Sequence, residues 1–287
     1  MPAITSRRRS TRHPAPAVIP APRWAAPEPT DLDPRAVHVP HGATGDERTI
    51  SVTHPSGWAG PACGEASPMR RAAALADYAV HLAGRADLIE RARTELAGRD
   101  LACTCAPGVP CHRDILLDVA QPPADPYRGG HGLAVTLPRP WASLVVLPET
   151  LSGGMIHTRS WCTDYRGALC VIASRRLDEH GVAAAAAAGF DAAWHARQRG
   201  WLGVGVLVDV HRAAPGCCAS RTRPHPRGRT ELYHWVWAHG ARLARPVIGP
   251  GFLGLRPVAW SVLIGSDAPA VHSPAAQHSP PADPRRR

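Results

Sequence analysis

A proline- and glycine-rich break at residues 121–130 limits the fold more than any other feature of this 287-residue chain. It reads Gln121-Pro122-Pro123-Ala124-Asp125-Pro126 and closes on Gly129-Gly130. Proline fixes φ and removes a backbone donor, and it pushes the preceding residue out of the helical region. Neither a helix nor an interior strand runs through such a stretch. The chain is therefore expected to form two units, 35–120 and 131–266, joined by a linker at 121–130. The length allows this, at roughly 100–200 residues per domain. Residues 1–34 and 267–287 are rich in Pro, Ala and Arg and show no apolar period, the composition of disordered tails.

In the first unit, short extended pieces at 36–39 and 49–53 precede a helix with Ser67 as N-cap and Pro68 at its first position. Leu75, Tyr78, Ala79 and Leu82 fall on one face of that helix. A second helix is expected over 86–97, stopped by Gly98, then a buried strand at 101–103 and a last helix over 113–119. Strands alternating with helices imply a small α/β layer fold. The second unit reads as mostly strand, at 133–137, 156–161, 168–173, 204–210, 232–238 and 260–264, with one helix over 182–199. That pattern fits a small α+β barrel better than a doubly wound sheet.

The formal charge of +10 invites a nucleic-acid partner. Lysine and asparagine are both absent, however, and arginine in place of lysine follows from a GC-rich genome, so arginine content alone decides little. The two tails hold eight of the 33 arginines and five of the 23 acidic residues, and the rest of the chain stays basic without them. No stretch approaches the ~18 consecutive apolar residues of a membrane span. Prolines at 14, 16, 20 and 22 occupy the place where a signal peptide needs its apolar run. A cytoplasmic protein with no membrane partner and reduced thiols is expected; the sequence leaves its oligomeric state open.

Four segments of the second unit carry a resemblance. They are Pro140-Trp141-Ala142-Ser143-Leu144-Val145-Val146, Thr158-Arg159-Ser160-Trp161, Tyr165-Arg166-Gly167-Ala168-Leu169, and Tyr233-His234-Trp235 leading to Pro246 and Gly254-Leu255. In that order they resemble the ASCH family, small barrels related to the PUA RNA-binding domain. The resemblance implies a PUA-like β-barrel with a cleft for a nucleotide or RNA. Trp141, Ser143, Arg159, Trp161, Arg166 and His234 are its candidate lining. The residue types suit such a ligand, since arginine forks match phosphates and base edges and indoles give bases a stacking face. A tryptophan in a small barrel is more often core than ligand platform.

The chain departs from that family at one point of chemistry. Members usually carry Gly-x-Lys-x-x-Glu-x-Arg ending at the position of Arg159, where this chain has Ser152, Gly154 and His157. Some members hydrolyse acylated cytidine with a Thr-Lys-Glu set, and a chain without lysine cannot supply that base. Arginine does not replace it, because its pKa above ~12 keeps it protonated. Binding without this hydrolysis is the expected role of the barrel, with His157 a weak candidate for a different acid or base.

In the first unit, His54-Pro55-Ser56-Gly57-Trp58-Ala59-Gly60-Pro61, the run from Leu96 to Pro107, and Cys111-His112-Arg113-Asp114-Ile115-Leu116-Leu117 resemble a bacterial and phage family, domain of unknown function 4326. No activity comes with that resemblance. The residues leave three readings open. Cys103, Cys105, Cys111 and His112 match a Cys₃His zinc shell in number, though without paired Cys-x₂-Cys spacing. Alternatively, Cys103, Cys111, His112 and Arg113 form an anion pocket at a helix N-terminus, where the dipole favours a phosphate and a lowered thiol pKa. Or the cysteines fill a buried strand and Arg113 pairs with an acid. No cofactor is expected beyond that zinc. The leading function is a two-domain nucleotide- or RNA-binding protein, with binding in the barrel cleft and no catalysis there. Its rival is a nucleotide-processing enzyme with Cys111 and His112 as candidate catalytic residues.

Overall fold

The computed structural model describes residues 36–38, 47–54, 56–60, 67–106, 108–147, 155–218 and 231–265. The expected disordered tails lie outside these residues, as do Ser152 and Gly154. Among the described residues no helix is long and apolar enough to cross a membrane.

The N-terminal part is a small parallel sheet with helices. Strands β1 (Ala36–His38) and β2 (Thr49–Ser51) both pair in parallel with β3 (Asp100–Cys103), which lies between them. Helices α1 (Pro68–Ala83) and α2 (Ala86–Glu95) connect β2 to β3, and α3 (His112–Ala120) follows. Helix α1 starts as the sequence implies: the Ser67 hydroxyl accepts from the Arg70 amide, and Pro68 sits in the first turn. Its buried stripe of Ala72, Leu75, Ala76, Ala79 and Leu82 follows the 3.6-residue period.

The C-terminal part is a six-stranded mixed sheet in the order β5-β8-β7-β6-β4-β9. The strands are β4 (Gly132–Arg139), β5 (Met155–Arg159), β6 (Gly167–Leu177), β7 (Gly200–Arg212), β8 (Tyr233–Val247) and β9 (Leu255–Val258). Among the described residues of this sheet, β4 and β6 are the one parallel pair. The expected barrel is not closed: among the described residues β5 and β9 pair on one side each and form the two edges.

Both faces of this sheet are buried. On β6, Ala168, Cys170 and Ile172 join one core while Leu169, Val171 and Ala173 join the other, the period of two expected of a strand. The first core is shared with the N-terminal part, because α1 packs on β6, β7 and β8. The second is covered by α4 (Trp141–Leu144), α5 (Glu179–Ala187) and α6 (Ala192–Arg197). Strands covered on both sides read as unbroken apolar runs, which is why Ala168-Leu169-Cys170-Val171-Ile172-Ala173 shows no polar alternation.

Two expected elements differ. The helix expected over 182–199 is two helices, α5 and α6. Gly189 stands at φ 82° between them, and the Asp191 carboxylate accepts from the Trp194 amide to start α6. The strand expected at 260–264 is a short 3₁₀ helix, Trp260–Leu263, and the edge strand is β9 just before it. Trp260 and Leu263 are buried together at a spacing of three, which suits a 3₁₀ turn and not a period of two. The connection at 121–130 is packed rather than loose. Tyr127 stacks on Trp201 with ring centroids 6.4 Å apart, and the Ala259 amide donates to the Pro126 carbonyl.

Candidate functional site

Strand register sorts the expected cleft residues. In β5–β8 pairing His157 faces Trp235, Thr158 faces His234 and Arg159 faces Tyr233. Opposite residues share a face and neighbours alternate, so Arg159, His157, Tyr233 and Trp235 point to one side. That is the side of the second core, which includes Tyr233, Trp235 and Trp237. His234 points to the other.

On the first of these faces the Arg159 guanidinium carbon lies 4.7 Å from the Trp161 ring centroid and 5.0 Å from that of Trp235. The two indoles meet edge to face at 4.5 Å. One guanidinium nitrogen donates to the Thr136 carbonyl at 3.3 Å, and among the described residues Arg159 has no carboxylate partner. Burial lowers its pKa to about 10, which still leaves it a cation at neutral pH. Arg159 and Trp161 are thus brought together as expected. Trp235 was missed as a site residue: the alternation Tyr233-x-Trp235-x-Trp237 puts these rings on one face, and the β5–β8 register makes that the Arg159 face.

The remaining expected members are engaged elsewhere. Trp141 is buried, donates to Asp178 at 3.0 Å and lies 5.5 Å from the His157 ring. The buried Ser143 hydroxyl bonds His195 Nδ1 at 2.8 Å. Burial, with Arg242 nearby, lowers the pKa of that imidazole. Arg166 donates to the carbonyls of Thr163, Tyr165 and Val210 and reaches Asp209 at 3.4 Å, so it pins the 163–166 turn to β7. His234 lies across β7–β8 from His211, beside Cys217 and Cys218. His157, the weak acid–base candidate, is buried.

The N-terminal candidates are also buried: Cys103, Cys105, Cys111, His112 and Arg113 are each at most 7% exposed. His112 Nε2 bonds the Val52 carbonyl at 2.8 Å and its Nδ1 faces the Cys111 sulfur at 3.5 Å. Arg113 donates to the Val37 carbonyl and meets Asp114 at 3.5 Å. The Asp114 carboxyl group accepts from the Cys111 amide at 3.0 Å, so a side chain of the protein itself already caps the α3 N-terminus. Cys103, Cys111 and His112 cluster with ligand atoms within 4.8 Å, and Cys105 stands outside that group.

Residues 37–122 match the family model described as Domain of unknown function (DUF4326). The DUF4326 segment thus takes in most of β1, all three N-terminal helices and the Cys103–His112 cluster, and it ends before β4. It therefore says nothing about the six-stranded sheet. No curated protein and no solved structure matches the chain.

A cavity of about 540 Å³ lies where the DUF4326 segment meets the sheet. Arg71 and Leu75 of α1, Pro110, His131, Tyr165, Arg166 and Trp260 are among its lining residues.

Proposed function

We propose that the protein binds a nucleotide or single-stranded RNA at Arg159 and Trp161, with the buried Trp235 backing the guanidinium, and with no lysine-dependent hydrolysis. The observation that carries this reading is a cation between two indole faces with one carbonyl contact and no carboxylate among the described residues. A partly buried charge without a counter-ion is costly, and cation–π contacts return only about 0.5–2 kcal/mol. A phosphate or a base carbonyl supplies the missing acceptor, while the half-buried Trp161 offers a base its face. The sequence between β7 and β8 supports the same partner, with four arginines and no acid in residues 219–230. The PUA-like resemblance of the 131–266 unit points to the same class of ligand.

The interdomain cavity favours a second placement, because its volume falls within the usual 300–1,000 Å³ of small-molecule sites. Fluorescence anisotropy of the full chain with a short labelled RNA, and calorimetry with mononucleotides, separates the two. Arg159→Gln is expected to weaken binding at least tenfold and Arg71→Gln to leave it within twofold, as order-of-magnitude expectations for one charged contact. The reverse pattern moves the site to the cavity, and no binding to either ligand rejects the reading.

A further inference from the structure

We propose that His211, Cys217, Cys218 and His234 form a tetrahedral zinc site at the root of the β7–β8 connection. One ligand atom from each of the four lies within 4.8 Å of all the others. The Cys217 sulfur is 3.2 Å from His234 Nδ1, and the Cys218 sulfur is 3.2 Å from His211 Nε2. A thiolate sulfur and an imidazole nitrogen sharing one zinc ion stand about 3.5 Å apart, given Zn–S near 2.3 Å and Zn–N near 2.0–2.1 Å. Two thiolates and two imidazoles are also the donor set that a borderline-soft divalent cation takes in closed structural sites.

The backbone around the four residues is arranged for this. His211 and His234 are directly paired across β7 and β8, which fixes the spacing of the two imidazoles. Beyond β7 the chain turns through Ala214-Pro215-Gly216-Cys217, with the Cys217 amide donating to the Ala214 carbonyl. Gly216 takes φ 74°, the sign a type II turn requires at its third residue, and proline suits the second. The turn lifts Cys217 back over the histidine pair, and the Ala214 amide donates to its sulfur at 3.4 Å. That contact suits a sulfur carrying thiolate charge.

A second layer is present as well. His211 Nδ1 bonds the Asp209 carboxylate at 2.5 Å, which leaves Nε2 for the ion. Asp209 is held in turn by Arg166. Carboxylate–histidine pairs of this kind orient zinc-ligating imidazoles and raise their basicity. Arg166, expected in the nucleotide cleft, thus acts here as support for a positioning residue. The site lies on the sheet face opposite Arg159, so it does not rest on the nucleotide reading.

The full chain, purified under reducing conditions without chelator from zinc-supplemented medium, is expected to carry about one zinc ion per chain at this site by elemental analysis. Cys217→Ser and Cys218→Ser are each expected to lose that ion. Cys217 is exposed, so the first substitution leaves the core intact. Cobalt in place of zinc is expected to give a thiolate-to-metal charge-transfer band that both variants lack. Asp209→Ala is expected to lower zinc affinity about 10–100-fold in chelator competition while the metal-free melting temperature holds. Cys111→Ser is the control for the N-terminal cluster and is expected to keep the ion. Protein that neither purifies with zinc nor takes it up overturns the proposal. So does zinc retained in the Cys217→Ser/Cys218→Ser double variant and lost in Cys111→Ser.

Discussion

Arg159 donates to the carbonyl of Thr136 across a gap that, among the described residues, no backbone pairing closes. Their strands, β5 and β4, stand four places apart in the sheet, which in a flat sheet is roughly 19 Å. An arginine side chain cannot span that distance. The sheet therefore curls until β5 approaches β4, and a side chain bridges the opening that a closed barrel would fill with a ladder. The same curl brings Trp161 and Trp235 around the guanidinium.

The two indoles are expected to separate binding from stability. Trp161 is half-buried, and Trp161→Ala is expected to weaken RNA binding by roughly 1–3 kcal/mol with the fold retained. Trp235 is fully buried, and Trp235→Ala is expected to cost about 3–5 kcal/mol of stability. Anisotropy and urea denaturation on both variants check the pair. Equal loss of stability in the two would make Trp161 a core residue.

Ser143→Ala gives a contrasting expectation. Its hydroxyl is spent on His195 inside the core, so the substitution is expected to cost about 1 kcal/mol of stability and to leave nucleotide affinity unchanged. A binding defect in stable Ser143→Ala protein would return this residue to the cleft.

Asp118 joins three parts of the chain. Its carboxylate accepts from the His131 and Trp260 amides at 2.8 Å and from His131 Nδ1 at 2.7 Å. Burial works against the proton on His131, but the hydrogen bond and charge of Asp118 outweigh it and raise the pKa. A raised pKa means that the stabilisation is full below the unfolded value, near 6.5, and is lost as pH rises through the folded value. The melting temperature of the full chain, relative to His131→Gln, is expected to fall as the pH rises from below about 6.5 through the raised folded-state value. A flat difference across that range would remove the ion pair from the account. Asp118→Ala is expected to be more damaging, at about 1–3 kcal/mol for each backbone donor left buried and unpaired.

Local features were legible in the sequence. Ser67-Pro68 marks the start of α1, and the apolar stripe behind it marks the buried face. Arg159 and Trp161 lie close in sequence, so their meeting needed no long-range information. Cys111 was legible as a residue at a helix start, but the Asp114 carboxylate that fills that end depends on local capping geometry. What the sequence hid depends on register. A one-residue offset decides whether His234 or Trp235 shares the sheet face of Arg159, and only the β5–β8 ladder fixes it. The His211–His234 pairing is likewise a property of the β7–β8 register, with no Cys-x₂-Cys spacing to announce the cluster. The cover that α1 gives to β6–β8 was hidden too, because fully apolar strands do not say what lies on their second face.

The salt dependence of RNA binding decides whether Arg159 holds a phosphate. Affinity of the full chain for a short single-stranded RNA is measured across a salt series, beside Arg159→Gln and Trp161→Ala, each confirmed folded by circular dichroism. Loss of one phosphate contact is expected to make the logarithmic slope shallower by about 0.7 in Arg159→Gln. Trp161→Ala is expected to bind more weakly with its slope unchanged, since stacking releases no counter-ions. Parent-like affinity and slope in folded Arg159→Gln would contradict the account.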